Sequence, residues 1–235
     1  MRDIWTITKR EFKLYFVSPI AYVYLVTFVI LINWLFWRGF FLIGEASLRP
    51  FFSIMPWIFL FFIPAVAMGK WAEERKSQTM EIILTLPVTE WSVIIGKFLA
   101  GLFLVLASMV LTLPMTFSVG LLGSLDWGVV FCSYIGLIFL GAAYLSIGLF
   151  ISSITENQII AFIVGVVVSF VLLILGEPIF TNAIPNFFVP IFQYAGLSTH
   201  FGSISRGVVD TSDIIYYLSV IGFFNWLSFK SIESR

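Results

Sequence analysis

The chain has 235 residues, 60% of them hydrophobic and 11% charged, with a mean hydropathy of +1.04. A soluble domain carries about 25% charged residues, so this composition points to a bilayer, not water, as the solvent of most side chains. Thirteen basic residues balance thirteen acidic ones, which leaves no basic field for nucleic acid, and the single cysteine (Cys132) and single histidine (His200) exclude an intrachain disulfide framework, a cysteine metal site and an HExxH site.

Residues 1–19 mix Arg2, Asp3, Lys9, Arg10, Glu11 and Lys13 with aromatic residues, and no small-residue cleavage site follows the first apolar run. They read as a retained segment and not as a signal peptide. On a helix, Trp5, Thr8, Phe12 and Tyr15 share one stripe and Lys9, Arg10 and Lys13 another. That is the pattern of an interfacial helix with a basic face, ended by Ser18-Pro19. Trp5, Lys9, Arg10, Phe12 and Lys13 are its candidate contact residues, to membrane lipid and to a partner.

Six apolar runs follow, at 20–37, 51–69, 93–122, 127–154, 159–176 and 214–229. A membrane-spanning helix needs about 20 such residues. Lipid offers backbone amides no partner, and the runs do not alternate as barrel strands do, so six transmembrane helices are expected. Pro56 and Pro64 fall in the second run, and Pro114 interrupts the third near its end. With the N-terminus inside, ten of the thirteen Lys and Arg residues face the cytoplasm, and Arg38, Arg49 and Arg206 do not. This positive-inside bias places both termini of a multi-pass protein in the cytoplasm, and the cell's inner (cytoplasmic) membrane is its expected location. Lys97 and Glu177 sit near span ends, where each is expected to snorkel. Asn33 lies deep in the first run and is expected to bond a neighbouring helix. Gly128, Gly136, Gly141, Ala142, Ala143 and Gly148 in the fourth run mark close helix packing.

The segments between the runs differ in character. Residues 39–50 read as a short solvated connector with Glu45 and Arg49. Residues 70–92 are the most polar stretch and hold an amphipathic helix candidate. Ser77 or Thr79 caps its start, Glu81 sits in its first turn, Met80, Ile83 and Leu84 form an apolar stripe, and Pro87 ends it. Such apolar surface in a polar loop needs headgroups or another protein against it. Residues 177–213 are too apolar for a free loop, and Pro178, Pro185 and Pro190 keep any helix there short. Short helices dipping back into the outer leaflet fit this segment. His200, beside Ser198, Thr199 and Ser203, reads as structural. No GxxxxGK[ST] motif is present, so ATP is not bound here through a P-loop, and the spans carry no mid-depth Asp, Glu or His of the kind that marks an ion pathway.

Four stretches carry a family resemblance. They are KREFKLYFVSP at 9–19, EERKSQTMEIILTLPVTEWSVIIGKFLA at 73–100, SSITENQIIAF at 152–162 and FGSISRGVVDTSDIIYYLS at 201–219. Together they resemble ABC-2-type permeases, most closely the gliding-motility and nitrous-oxide-reductase-maturation branch. The resemblance implies a single all-α transmembrane domain over 1–235, with an N-terminal interfacial helix, a cytoplasmic coupling helix and re-entrant outer helices before the last span. It implies an exporter subunit that is not itself an enzyme and holds no cofactor, with ATP and Mg on a partner ABC ATPase. A second permease copy or a related permease would complete the dimer, and an accessory extracytoplasmic subunit fits the same family. The coupling element maps to Glu73, Glu74, Arg75, Thr79, Glu81, Leu84 and Pro87. Gln78 stands where relatives usually have glycine. The residues themselves leave two other classes open: a membrane anchor, and a secondary transporter or channel subunit without ATPase coupling. The absence of repeated halves and intramembrane ionisable groups counts against the latter.

Overall fold

The computed structural model describes residues 2–78 and 88–233, and all regular structure among them is helical. In chain order the helices are α1 (Arg2–Val17), α2 (Ile20–Ile43), α3 (Arg49–Ala67), α4 (Gly69–Lys76), α5 (Glu90–Val110), α6 (Leu113–Leu122), α7 (Trp127–Ile154), α8 (Gln158–Ile174), α9 (Pro178–Thr181), α10 (Val189–Ala195), α11 (Leu197–Ile204) and α12 (Thr211–Glu233). Among the described residues four stretches are long and apolar enough to cross a membrane: Ile20–Leu42, Arg49–Lys76, Glu90–Leu122 and Trp127–Ile154. They correspond to the first four apolar runs. The fifth run forms the shorter α8, and the sixth lies within α12, which is 23 residues long but carries Asp213, Asn225 and Lys230.

Local chemistry sets the ends. α2 runs on through Arg38 to Ile43 and stops where Gly44 turns left-handed (φ 69°) and donates its N–H to Phe40 O. The expected connector over 39–50 is thereby cut to residues 44–48. Pro50 sits in the first turn of α3, where its missing N–H costs nothing. The third run breaks at Leu111 and Thr112, because Pro114 supplies no amide to continue the ladder and sits instead in the first turn of α6. Tyr134 Oη, on α7, pins that break between the hydroxyls of Thr112 (2.9 Å) and Thr116 (2.7 Å). Asp126 caps α7 by accepting from the Gly128 and Val129 amides, and Asn157 caps α8 at Ile159 N. The Asn33 amide donates to Val29 O of its own helix at 2.8 Å, so it does not reach a neighbouring helix as expected. An i−4 bond satisfies the group within α2.

α7 is the central helix and packs against α3, α5, α8, α11 and α12. Its small residues allow this. A Cβ on Gly148 would lie 2.7 Å from Ala67 Cβ, and one on Gly141 would lie 3.1 Å from Val105. The small-residue pattern thus marks packing, as the sequence indicated.

The segment 177–213 forms the three short helices α9 to α11. Pro178 and Pro190 occupy first-turn positions of α9 and α10. Leu197, His200, Phe201 and Ile204 turn inward from α11. Gly196 meets Gly176 backbone to backbone: a Cβ on Gly196 would fall 2.4 Å from Gly176 N. His200 is buried, with Nδ1 2.6 Å from Asp213 Oδ1 and Nε2 2.9 Å from Tyr194 O, and it stacks on Tyr216 at 3.9 Å. Tyr216 and Tyr217 donate to Ala195 O and Leu197 O. These bonds hold the short helices onto α12.

Two ends of the bundle result. The α2–α3 and α6–α7 links meet at one end, where a Cβ on Gly123 would overlap Ala46 Cβ. At the other end lie α1, α4, the start of α5, the α7–α8 turn and the end of α12. There Trp91 stacks on Phe229 at 4.7 Å.

Candidate coupling site

The second end holds the charges. α1 lies across α5, and Gly96 makes room for it, since a Cβ there would meet Ile7 Cγ2 at 2.6 Å. Trp5 and Phe12 both meet the edge of Phe103 at 6.1 Å. The face of α1 turned inward is Thr8, Glu11 and Tyr15, all buried, and the Thr8 hydroxyl donates to Ile4 O. Lys9, Arg10 and Lys13 stay exposed on the other face, as the basic stripe predicts. Trp5 is 60% exposed and marks the edge, not the centre, of the buried stripe. Glu11 was not among the residues the sequence singled out for this face. Its i+3 spacing from Thr8 and i−4 spacing from Tyr15 was the available signal.

Glu11 is the first member of a buried ionic lattice. Lys70, at the start of α4, reaches Glu11 Oε2 at 3.2 Å and lies 3.6 Å above the Tyr15 ring. Lys97, from α5, donates to Lys70 O at 2.9 Å and pairs with Glu74 Oε1 at 2.5 Å. It also lies 3.9 Å from Glu11 Oε1 and 4.5 Å above the Trp71 ring. The Lys97 side chain is 1% exposed, so it does not snorkel. Its head points inward because two carboxylates, a carbonyl and an aromatic face receive it there. Removing four charges from water is costly, and only their alternation in sign offsets that cost. Burial pushes the Glu11 carboxyl up, but Lys97 and then Lys70 outweigh it, and the net shift is downward.

Ser152, at the end of α7, locks the base of this assembly. Its Oγ accepts from Trp71 N and Ala72 N at 3.1 Å and donates to Met68 O at 2.8 Å. The backbone groups exposed by the α3–α4 break are thus satisfied from α7. α1, α4, α5 and α7 form one tied block beside the chain that leads out of α4. A cavity of about 400 Å³ opens next to it, lined in part by Glu11, Tyr15, Lys70, Glu73, Glu74 and Gln158.

Of the predicted coupling residues, Glu73, Glu74 and Arg75 lie on α4, and Glu74 is in the lattice. Thr79, Glu81, Leu84 and Pro87, with the amphipathic helix expected around them, lie outside the described residues. The Ser77 hydroxyl donates back to Glu73 O at 2.8 Å and so closes α4, and the helix start it was expected to cap lies outside the described residues. Gln78 follows in the left-handed region, at φ 56°. That is the conformation glycine adopts freely and a side chain resists. Among the described residues no group of three or more His, Cys, Asp and Glu is placed to hold a metal ion.

A family model described as ABC-2 family transporter protein matches residues 22–199. The chain belongs to this family. As an ABC-2 permease it is a transmembrane component of a transport system, in keeping with its apolar helices. The match runs from α2 to the start of α11. α1 and α12 lie beyond it, yet each is packed on the matched part, α1 on α5 and α12 on α7. Comparison with curated proteins returns no match.

Proposed function

We propose that this ABC-2 permease is the six-span transmembrane subunit of an exporter of the gliding-motility and nitrous-oxide-reductase-maturation branch. It works in the inner membrane as a dimer, with a second copy or a related permease, and is driven by two separate ATPase subunits. The observation that carries the reading is the lattice of Glu11, Lys70, Glu74 and Lys97, which ties α1, α4 and α5 together immediately before residues 79–87. Force applied to that segment by a partner would reach three helices at once. ATP and Mg reside on the partner. When ATP binding closes the two ATPases, the coupling segment moves with them, and the tied block transmits the motion to the spans as a rigid body.

Several features support six spans with cytoplasmic termini. α8 follows the long α7 through a short turn, and α12 packs along both α7 and α5. Among the described residues, nine basic residues fall on elements at the end that carries α1, on α1 itself, on α4, at the start of α5 and at the end of α12. The apolar inward face of α11 fits a segment that re-enters the outer leaflet instead of leaving it.

Co-expression with a candidate ABC ATPase, sought as a P-loop reading frame beside the permease gene, tests the coupling. Wild-type permease should co-purify with that ATPase and raise its ATP hydrolysis, and Leu84→Asp should abolish both while the permease stays in the membrane. An ATPase that ignores the wild type, or is held equally by Leu84→Asp, refutes the proposal. Orientation is tested separately. A cysteine at Gln78 should be shielded from an impermeant outside reagent and one at Asn186 labelled; the reverse pattern overturns the orientation.

A further inference from the structure

The cavity beside the lattice does not end at the polar surface. It shares Ile20, Ala65, Val66 and Met68 with a second cavity of about 400 Å³ that continues along α2 and α3. That second part is walled by Val23, Thr27, Phe61, Phe62 and Phe162 and is almost wholly apolar. From Ile20 to Thr27 it follows two turns of α2, about 10 Å at 1.5 Å per residue. One trough therefore has a polar mouth at the charged end of the bundle and an apolar stem on the faces of apolar helices. This is the shape of a site for one amphiphile lying parallel to the spans.

The mouth specifies the headgroup. Glu11 is matched by Lys70 and Glu74 by Lys97. Glu73 lines the same mouth, and no ion pair to it occurs among the described residues. Its Oε2 and the Gln158 amide converge above Gly69, 3.5 and 3.7 Å from where a Cβ would sit. The mouth thus carries one excess negative charge with an amide beside it. Facing it are donors. Lys70 commits one contact to Glu11 and has three protons. Ser18 Oγ accepts from Ile20 N, which leaves its own proton to give. Donors for a phosphate beside a carboxylate acceptor for an ammonium describe a zwitterion.

We propose that this trough is a binding site for phosphatidylethanolamine, with its phosphate at Lys70 and Ser18, its primary ammonium at Glu73, and an acyl chain between α2, α3 and α8. A primary ammonium can donate hydrogen bonds to Glu73, whereas the quaternary ammonium of phosphatidylcholine cannot, and a phosphatidylglycerol head places a net negative charge beside Glu73. The expected order is therefore ethanolamine over choline over glycerol head. The site rests on the transmembrane reading of the helices and not on ATPase coupling.

The test uses the full-length permease alone, delipidated in detergent and exposed to equal amounts of the three phospholipids. Retained lipid per chain is then counted by native mass spectrometry. Wild type should keep about one phosphatidylethanolamine, preferred over phosphatidylglycerol by about tenfold, the scale of one charge-assisted hydrogen bond. Glu73→Gln should erase most of that preference, and Val23→Trp, which fills the stem, should lower retention of all three lipids. Glu73 is exposed, so its variant tests headgroup selection even if Val23→Trp does not fold. Equal retention of the three lipids, or a preference unchanged in Glu73→Gln, overturns the proposal. So does quantitative disulfide dimerisation of Val23→Cys in the delipidated protein, which would make the trough a contact between copies. A lipid result of either sign leaves the ATPase co-purification free to succeed or fail on its own.

Discussion

Replacing Lys97 with methionine keeps the length of the side chain and deletes its charge. The structure sets the size of the effect. Lys97 is 1% exposed, and its ammonium serves Glu74 at 2.5 Å, Lys70 O at 2.9 Å and the Trp71 face at 4.5 Å. Glu11 keeps its own cation, Lys70, at 3.2 Å, so the variant chiefly takes the Lys97 contact from Glu74 and from one carbonyl. Removing one member of a buried pair costs about 3–5 kcal/mol, against about 0.2–1 kcal/mol for an exposed pair. The Glu74 side chain is 21% exposed, which lets water reach it and places the expected loss at the lower bound, about 3 kcal/mol. Adding Glu74→Gln to the variant removes the carboxylate charge that Lys97 met, and the double variant should then be less destabilised than the two single losses added together, by about 1–3 kcal/mol. Reversible unfolding in mixed micelles, followed by tryptophan fluorescence, measures all four proteins of the cycle. A loss below about 1 kcal/mol for Lys97→Met, or additive single variants, would mean that Lys97 snorkels to water after all and that the lattice does not tie the helices.

Gln78→Gly should stabilise the protein by about 1 kcal/mol, because Gln78 holds φ 56° and glycine removes the side-chain penalty of that conformation; unchanged or lower stability would count against the left-handed turn after α4. Glu11 supplies a pH dependence: its folded carboxyl lies below the ordinary 4.5, so its contribution is complete above that pH and fades as pH falls through the folded value. Acid unfolding of Glu11→Gln should accordingly be less steep below about pH 4.5 than that of wild type, and parallel curves would refute the assignment. Gly196→Ala places a Cβ 2.4 Å from the Gly176 amide nitrogen, where only backbone can yield. It should cost about 1–3 kcal/mol and increase labelling of a cysteine at Asn186, and a neutral result would show that the α8–α11 contact is looser than described.

Composition and periodicity determined much of this protein. A long stretch of apolar side chains leaves its backbone no partner but itself, so the first four apolar runs could be placed from the sequence, and the α7 boundaries coincide with the run at 127–154. Three prolines were legible for the same local reason, since Pro114, Pro178 and Pro190 stand in the first turns of helices, whereas Pro56 and Pro64 lie inside α3 without breaking it. The glycine-rich fourth run indicated close packing because a missing side chain has a single consequence at a helix crossing. Charges behaved otherwise. Lys97 near the start of an apolar run looked like a snorkelling side chain, because nothing local reveals that Glu74, 23 residues earlier, would turn to meet it. Glu11 looked like one more polar residue of an amphipathic helix until α1 was laid across α5 at Gly96. Asn33 bonded within its own helix because its turn offered Val29 O before any neighbour could. The sign, spacing and hydropathy of side chains act along the chain and can be read there. Which opposite charge a buried group finds depends on how separate helices cross, and only the folded bundle decides that.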